Sequence, residues 1–327
     1  MTDAIRADDV RVVYPDGTRA VNGVDLRVPE GEFFGFLGPN GAGKTTTIRT
    51  LVTLLRPTDG SVTVNGYDVG DDPESVRRSV GYMAQETSID EELTARENVE
   101  YMAAAYGIPK SERAERADEL LNLADLLDVA DKSAKTFSGG MKKRLDAVTA
   151  LVHHPPVVFL DEPTTGLDPK ARNRLWDYFR EINREGTTVF LTTQYLEEAD
   201  QLCDRISLIK DGEIALTGSP DELKNEVGGD ILELEIAPSD VDVATRLAES
   251  GDVFHDAVVT ETDTGISVGA TTIRTHGADY FAELRDAGVA VDGFDVRSPT
   301  LDDVFLAVTG EGVEDDKEAA SDTEVAA

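Results

Sequence analysis

The residue types best suited to chemistry form one run, Gly38-Pro39-Asn40-Gly41-Ala42-Gly43-Lys44-Thr45. It follows the apolar segment Phe33-Phe34-Gly35-Phe36-Leu37 and precedes an apolar helical pattern over residues 46–55. Strand, loop and helix in that order are what a phosphate-binding loop requires. Glycines let successive N–H groups face inward and the helix N-terminus adds its dipole. Lys44 supplies a cation for β- and γ-phosphates, and Thr45 offers a hydroxyl to Mg2+. Thr46 opens the helix and is counted with the loop as a nucleotide contact. Far downstream, Val157-Val158-Phe159-Leu160 ends in Asp161-Glu162. An acid at the C-terminal end of a buried strand can hold Mg2+ through water, which is the role expected of Asp161. Glu162 is then placed to accept a proton from an attacking water, because phosphoryl transfer asks the protein mostly for positioning and charge stabilisation.

The elements that must hold these residues are legible as patterns. Alternation in DDVRVVY, VNGVDLRV and SVTVNG predicts an antiparallel β layer, while EFFGFLG reads as a buried strand of another type. Residues 94–131 read as two or three helices broken at Gly107 and Pro109, a helical subdomain inserted in an α/β core. Buried strands at 157–160 and 187–193 flank a helix at 169–184, which implies a parallel sheet with right-handed crossovers. The pattern changes near 221. A strand ILELEI at 231–236, a helix near 241–249, strands near 253–259 and 265–268, a helix near 278–286 and the segment VAVDGFDV then build a small α+β domain. The remainder from 311 is acidic, Ala-rich and free of aromatics, and is expected to be disordered.

Composition excludes several functions. Asp and Glu number 65 against 31 Lys and Arg, a formal charge of −34 spread over both halves, so the surface would repel nucleic acid and anionic lipid. A generously solvated surface needs fewer charges than this. Adaptation to a salt-rich cytoplasm accounts for the excess, since a Debye length of ~3 Å at 1 M screens self-repulsion. No apolar run reaches the ~20 residues that span a bilayer, and MTDAIRADDV lacks the core of a signal peptide. Membrane work is therefore expected through a partner, without direct membrane insertion. The single Cys203 reads as a small core residue in a reducing cytosol, and His153 and His154 do not read as metal ligands.

Between the two phosphate-site motifs lies Phe137-Ser138-Gly139-Gly140-Met141. It resembles the signature motif of ATP-binding cassette (ABC) proteins, at the family's place before the Asp161 strand. The other family motifs follow in order: Tyr14 where the family stacks adenine, Gln85 at the lid glutamine, and Gly166-Leu167-Asp168 at the D-loop. The resemblance covers residues 5–220 and implies an α/β P-loop NTPase fold of the ABC ATPase type, an N-terminal antiparallel β layer and an inserted helical subdomain. It also implies ATP and Mg2+ as ligands, with Gln85 joining Thr45 and Asp161 at the metal. Two copies would sandwich two ATP molecules head to tail, with Ser138, Gly139 and Gly140 of one facing the γ-phosphate held by the other, as a helix start suits an anion.

Two positions depart from the family pattern: Met141 stands where Gln is commonest, and Gln194 where the switch histidine stands. A glutamine has both an NH2 donor and a C=O acceptor, so it can act as the γ-phosphate sensor. The form Thr192-Thr193-Gln194-Tyr195-Leu196-Glu197-Glu198-Ala199-Asp200, with SGGM followed by Lys142-Lys143-Arg144, resembles the daunorubicin-resistance-type subgroup of export ATPases. The 221–310 region, ending in Ser298-Pro299-Thr300-Leu301-Asp302-Asp303-Val304-Phe305, resembles that subgroup's C-terminal extension and reads as a packing or regulatory module.

The resemblance implies a homodimeric ATP-hydrolysing subunit, peripheral on the cytoplasmic face of the membrane, that energises a separate multi-spanning permease. The permease would dock where the segment after Gln85 meets the helical subdomain, and the cargo would be drugs or other hydrophobic compounds. Lipid or polysaccharide export, a soluble mechanical ATPase and a poorly hydrolysing regulator are the alternatives. One cassette, no sustained heptad and the negative charge oppose the mechanical ATPase, and Glu162 opposes the regulator.

Overall fold

Alternating burial builds the first layer. In a computed structural model that describes residues 2–226, 229–250, 252–255 and 257–309, β1 (Asp3–Val13) and β2 (Arg19–Pro29) pair antiparallel. They bury Ile5, Ala7, Val10 and Val12 of one strand and Val21, Val24, Leu26 and Val28 of the other. β3 (Phe33–Leu37) is buried at every residue, as a strand covered on both faces must be. α1 (Lys44–Leu51) starts earlier and stops sooner than the 46–55 expected. Thr53 takes a φ of 66°, and the N–H groups of Leu54 and Leu55 both turn back to Arg49 O, so the apolar run continues after the helix has ended. β4 (Asp59–Val64) and β5 (Tyr67–Asp68) complete the antiparallel layer in the order β2-β1-β4-β5.

α2 (Pro73–Ser79), capped by Asp72, leads directly into β6 (Val80–Met83). The helical insert follows as α3 (Ala95–Ala105), α4 (Lys110–Leu123) and α5 (Gly139–Thr149). Thr94 and Glu97 cap α3 reciprocally, and Pro109 precedes α4 as expected. Next come β7 (Val157–Asp161), α6 (Pro169–Arg184), β8 (Thr188–Thr193), α7 (Leu196–Leu202), β9 (Arg205–Lys210) and β10 (Glu213–Gly218). The central sheet runs β10-β9-β3-β8-β7-β6, parallel except for β10. Phe34, Phe36 and Phe159 gather round Phe190 with ring centroids 5.5–5.6 Å apart, packing β3, β7 and β8 together on one face of this sheet. Cys203 is buried just after α7.

A second compact unit begins at Pro220. It contains α8 (Pro220–Glu226), β11 (Asp230–Ile236), α9 (Val241–Glu249), β12 (Val258–Thr262), β13 (Gly265–Ala270), α10 (Ile273–Asp286), β14 (Val291–Arg297) and α11 (Leu301–Thr309). Its strands form an antiparallel sheet in the order β12-β13-β11-β14, with Tyr280, Phe254, Leu232 and Ile266 at the centre of its core. The strand expected near 253–259 lies instead at Val258–Thr262, because Val253 and Phe254 are buried in that core without belonging to a strand. α10 begins five residues before the expected 278, and α8 and α11 were not anticipated. The tail expected from 311 lies outside the described residues.

Candidate functional site

The phosphate loop leaves the end of β3 with its glycines fixed by their surroundings. A Cβ on Gly38 would stand 2.2 Å from Ile209 O, and one on Gly43, at a φ of 109°, would stand 2.3 Å from Ala20 O. No other residue fits either place. Ala42 is buried and its N–H donates to Pro39 O, while Asn40 and Gly41 are exposed. Lys44 is buried, and its Nζ donates to Gly38 O at 2.6 Å and Pro39 O at 3.1 Å. Burial lowers its pKa, against the pull of the Glu162 and Asp161 carboxylates, so the ammonium is poised for a negative ligand. Thr45 and Thr46 form the half-buried first turn of α1, and the Tyr14 hydroxyl lies 3.1 Å from Thr46 Oγ1.

Strand register brings the remaining chemistry to the same edge. Leu37 of β3 pairs with Thr193 of β8, and Thr192 pairs with Asp161 of β7. The loop, Gln194 and the Asp161-Glu162 pair therefore all lie just beyond the carboxyl ends of neighbouring parallel strands, the usual position of ligand sites in such sheets. Thr192 Oγ1 donates to Asp161 Oδ1 at 2.6 Å. Asp161 Oδ2 is buried without a hydrogen-bond partner. A carboxylate oxygen left unpaired in the interior suits a cation or its water, so the residues present fit Mg2+.

Glu162 adopts a left-handed φ of 50°, and its N–H donates to Thr192 O at 3.0 Å. Its side chain is held from the lid segment, where Gln85 Nε2 donates to Glu162 Oε2 at 2.9 Å. Its carbonyl is held from α5, where Lys143 Nζ donates to Glu162 O at 3.2 Å. Strain at a non-glycine residue tied down on three sides is the kind of cost found at functional sites.

The signature residues stand apart from this group. The hydrogen bonds of Ser138 stay within α5, its Oγ accepting from Met141 N and its O from Lys142 N. Ser138 and Gly139 are exposed. A Cβ on Gly140 would meet Ala171 Cβ at 3.3 Å and Leu167 Cδ2 at 3.5 Å, so a glycine lets α5 lie close to the D-loop. Asp168 caps α6, accepting from Ala171 N at 2.9 Å with Pro169 at the first helical position. Gln194 is half-buried just after β8. Sequence reasoning missed Thr192, Ser88, Lys143 and Asp146 as part of this site. The available signal was an acid, Asp146, on the apolar face of α5 between Leu145 and Ala147.

A family model described as ABC transporter matches residues 21–165. A second, described as the C-terminal domain of DrrA1-3-like ATP-binding proteins, matches residues 218–309. The daunorubicin/doxorubicin resistance ATP-binding protein DrrA of Streptomyces peucetius is 44% identical over 99% of this chain and 98% of its own. The chain belongs to the ABC transporter ATP-binding family. The linearmycin resistance ATP-binding protein LnrL of Bacillus subtilis is 34% identical over 95% of this chain and all of its own length, 100%. A dimeric ATP-binding cassette solved in a post-hydrolysis state with ADP and Pi superposes at a TM-score of 0.61, with 30% identity over 66% of this chain and 98% of that one. The ABC protein described here therefore binds ATP and hydrolyses it in a reaction coupled to transport, on a P-loop ABC ATPase fold.

Proposed function

We propose that this ABC ATPase energises the export of drugs or other hydrophobic compounds through a separate multi-spanning permease, docked at the cytoplasmic face of the membrane. The observation that carries its engine is the meeting of Lys44, Asp161 and Glu162 at one sheet edge, with Asp161 Oδ2 unpaired. Support for the cargo class comes from the near full-length similarity to DrrA and LnrL, whose names describe resistance to daunorubicin, doxorubicin and linearmycin. No helix among the described residues is long and apolar enough to cross a membrane, in keeping with a permease on another chain.

In this reading Tyr14 stacks on adenine, and the loop from Gly38 to Thr46 cradles the phosphates with Lys44 between β and γ. Thr45, Asp161 and Gln85 hold Mg2+, which when bound offsets phosphate charge. Glu162 takes the proton of the attacking water, and Gln194 donates to the γ-phosphate. Two copies close over two nucleotides, with the exposed Ser138 and Gly139 and the half-buried Gly140 of each facing the other copy's ATP and Asp168 at the seam. The Met1–Ser219 unit is the ATPase domain and the unit from Pro220 an accessory module. The charge of −34 is adapted to molar salt.

Tagged Glu162→Gln protein purified from membranes with ATP in molar KCl tests this directly. Slow hydrolysis holds the dimer closed, and a multi-spanning membrane protein is expected to come with it. Only soluble partners across several mild detergents would overturn the transport assignment, and equal stability in dilute buffer would overturn the salt adaptation.

A further inference from the structure

Three segments around Glu162 close into a ring. Gln85 Nε2 reaches Glu162 Oε2 at 2.9 Å, and three residues along the lid segment Ser88 donates to Asp146 Oδ1 through its N–H at 3.2 Å and its Oγ at 2.5 Å. Asp146 lies on α5 one turn beyond Lys143, whose Nζ returns to Glu162 O at 3.2 Å. Residues three apart on a helix share a face, so Asp146 and Lys143 address the lid segment and the base from one side of α5. Asp146 is 1% exposed. A carboxylate buried in a helix is costly unless it is paired and hydrogen-bonded; here the Ser88 donors and the charge of Lys143 offset part of that cost, while Oδ2 has no hydrogen-bond partner and burial still pushes the carboxyl's pKa up.

We propose that Asp146 and Lys143 are positioning residues for Glu162: Asp146 acts through Ser88 and Gln85 on the side chain, and Lys143 acts on the main chain. The ring leaves Glu162 Oε1 for the proton of water while Gln85 occupies Oε2. It also makes the base sensitive to the place of α5, whose N-terminus is capped by Ser138. The assignment rests on Glu162 as the base.

The test is a double-mutant cycle on the full chain, read as kcat for ATP and as Kd for a non-hydrolysable ATP analogue. Ser88 is exposed, so Ser88→Ala tests the link without cutting into the core; Asp146→Asn is its partner variant. Each is expected to lower kcat by about fivefold or more, to leave Kd within about twofold, and to have almost no further effect in a Gln85→Ala background, because residues acting through one contact do not add. Lys143→Met is expected to lower kcat, with recovery in Lys143→Arg. Equal effects in both backgrounds, or parallel changes in kcat and Kd, would overturn the ring. Unimpaired hydrolysis by Glu162→Gln would instead overturn the base on which it rests, so the two failures are distinguishable.

Discussion

The two units of the chain bury different things. Among the described residues, every buried Lys, Asp, Glu, Asn, Ser and Thr side chain lies before Pro220, and so does every non-glycine residue with positive φ. The second unit packs Leu232, Leu234, Ile266, Phe254 and Tyr280 with no buried charge. Both units solve the packing problem, but only the first keeps charge out of water and backbone out of its preferred regions. Such costs persist where a site needs them, and Glu162, buried, charged and left-handed at the carboxyl edge of the parallel sheet, carries both kinds at once.

The largest test of that contrast is Glu162→Gln. A general base contributes about 10²–10⁴ in rate, so ATP turnover should fall by that range while the Kd for ATP changes little. Retained turnover would mean that the strained, triply held Glu162 is an architectural feature, and the contrast between the units would lose its functional meaning. Gln194→Ala comes next, with an expected loss of about 10²–10³ if the amide donates to charge developing on the γ-phosphate. Single-turnover hydrolysis measures it, and Gln194→His should keep most of the activity. An unchanged rate in Gln194→Ala would remove the sensor role.

Much of this was readable from the chain because its signals are local. The helix expected at 169–184 is α6 with those bounds, and local residues mark them: Asp168 and Pro169 at its start and Gly186 just past its end. The phosphate loop was legible because glycine is compulsory at Gly38 and Gly43. Other features depend on contacts that spacing does not encode. Nothing in the order of the strands says that β3 lies between β8 and β9, yet that register places Gln194 beside the loop. The apolar Val52, Leu54 and Leu55 masked the end of α1 at Leu51, since Thr53 turns the chain at a φ that β-branched residues rarely take. β12 is an edge strand exposed at most positions, so its alternation carries little hydrophobic signal. The ring through Ser88 and Asp146 joins residues 58 apart in sequence and left only an acid on an apolar helical face as a trace.

A smaller effect is expected in the second unit. The Tyr280 hydroxyl is buried and donates to Ala244 O at 2.8 Å. Tyr280→Phe removes one hydrogen bond at constant shape, with an expected loss of about 1 kcal/mol in denaturant unfolding. ATP turnover by the folded protein should not change. A turnover defect at full folding would show that the accessory unit reaches the chemistry and would narrow the contrast.

An effect of similar size, seen only as pH falls, concerns a perturbed group in the first unit that takes no part in the reaction. His153 stacks on Tyr106 with ring centroids 3.7 Å apart and planes within 4°. Burial, with repulsion from His154 and Arg116, lowers its pKa from 6.5 to about 4. Between those values the unfolded chain binds more protons than the folded one, so stability falls as pH drops through that window and the loss is complete below it. Full burial would make this on the order of 3 kcal/mol, and because His153 as a whole is only half-buried, solvent screening reduces it to about 1 kcal/mol. His153→Phe keeps the stack and removes the titration, so its stability relative to the parent should improve by about that amount between pH 7 and pH 4. Taking the difference between the two proteins cancels the carboxylates they share. A pH-independent difference would mean that the ring takes up its proton as readily in the folded chain as in the unfolded one. The predicted shift would separate two causes of a perturbed pKa within one unit, packing at His153 and ligand preparation at Lys44, where the same desolvation faces two carboxylates and an open phosphate loop.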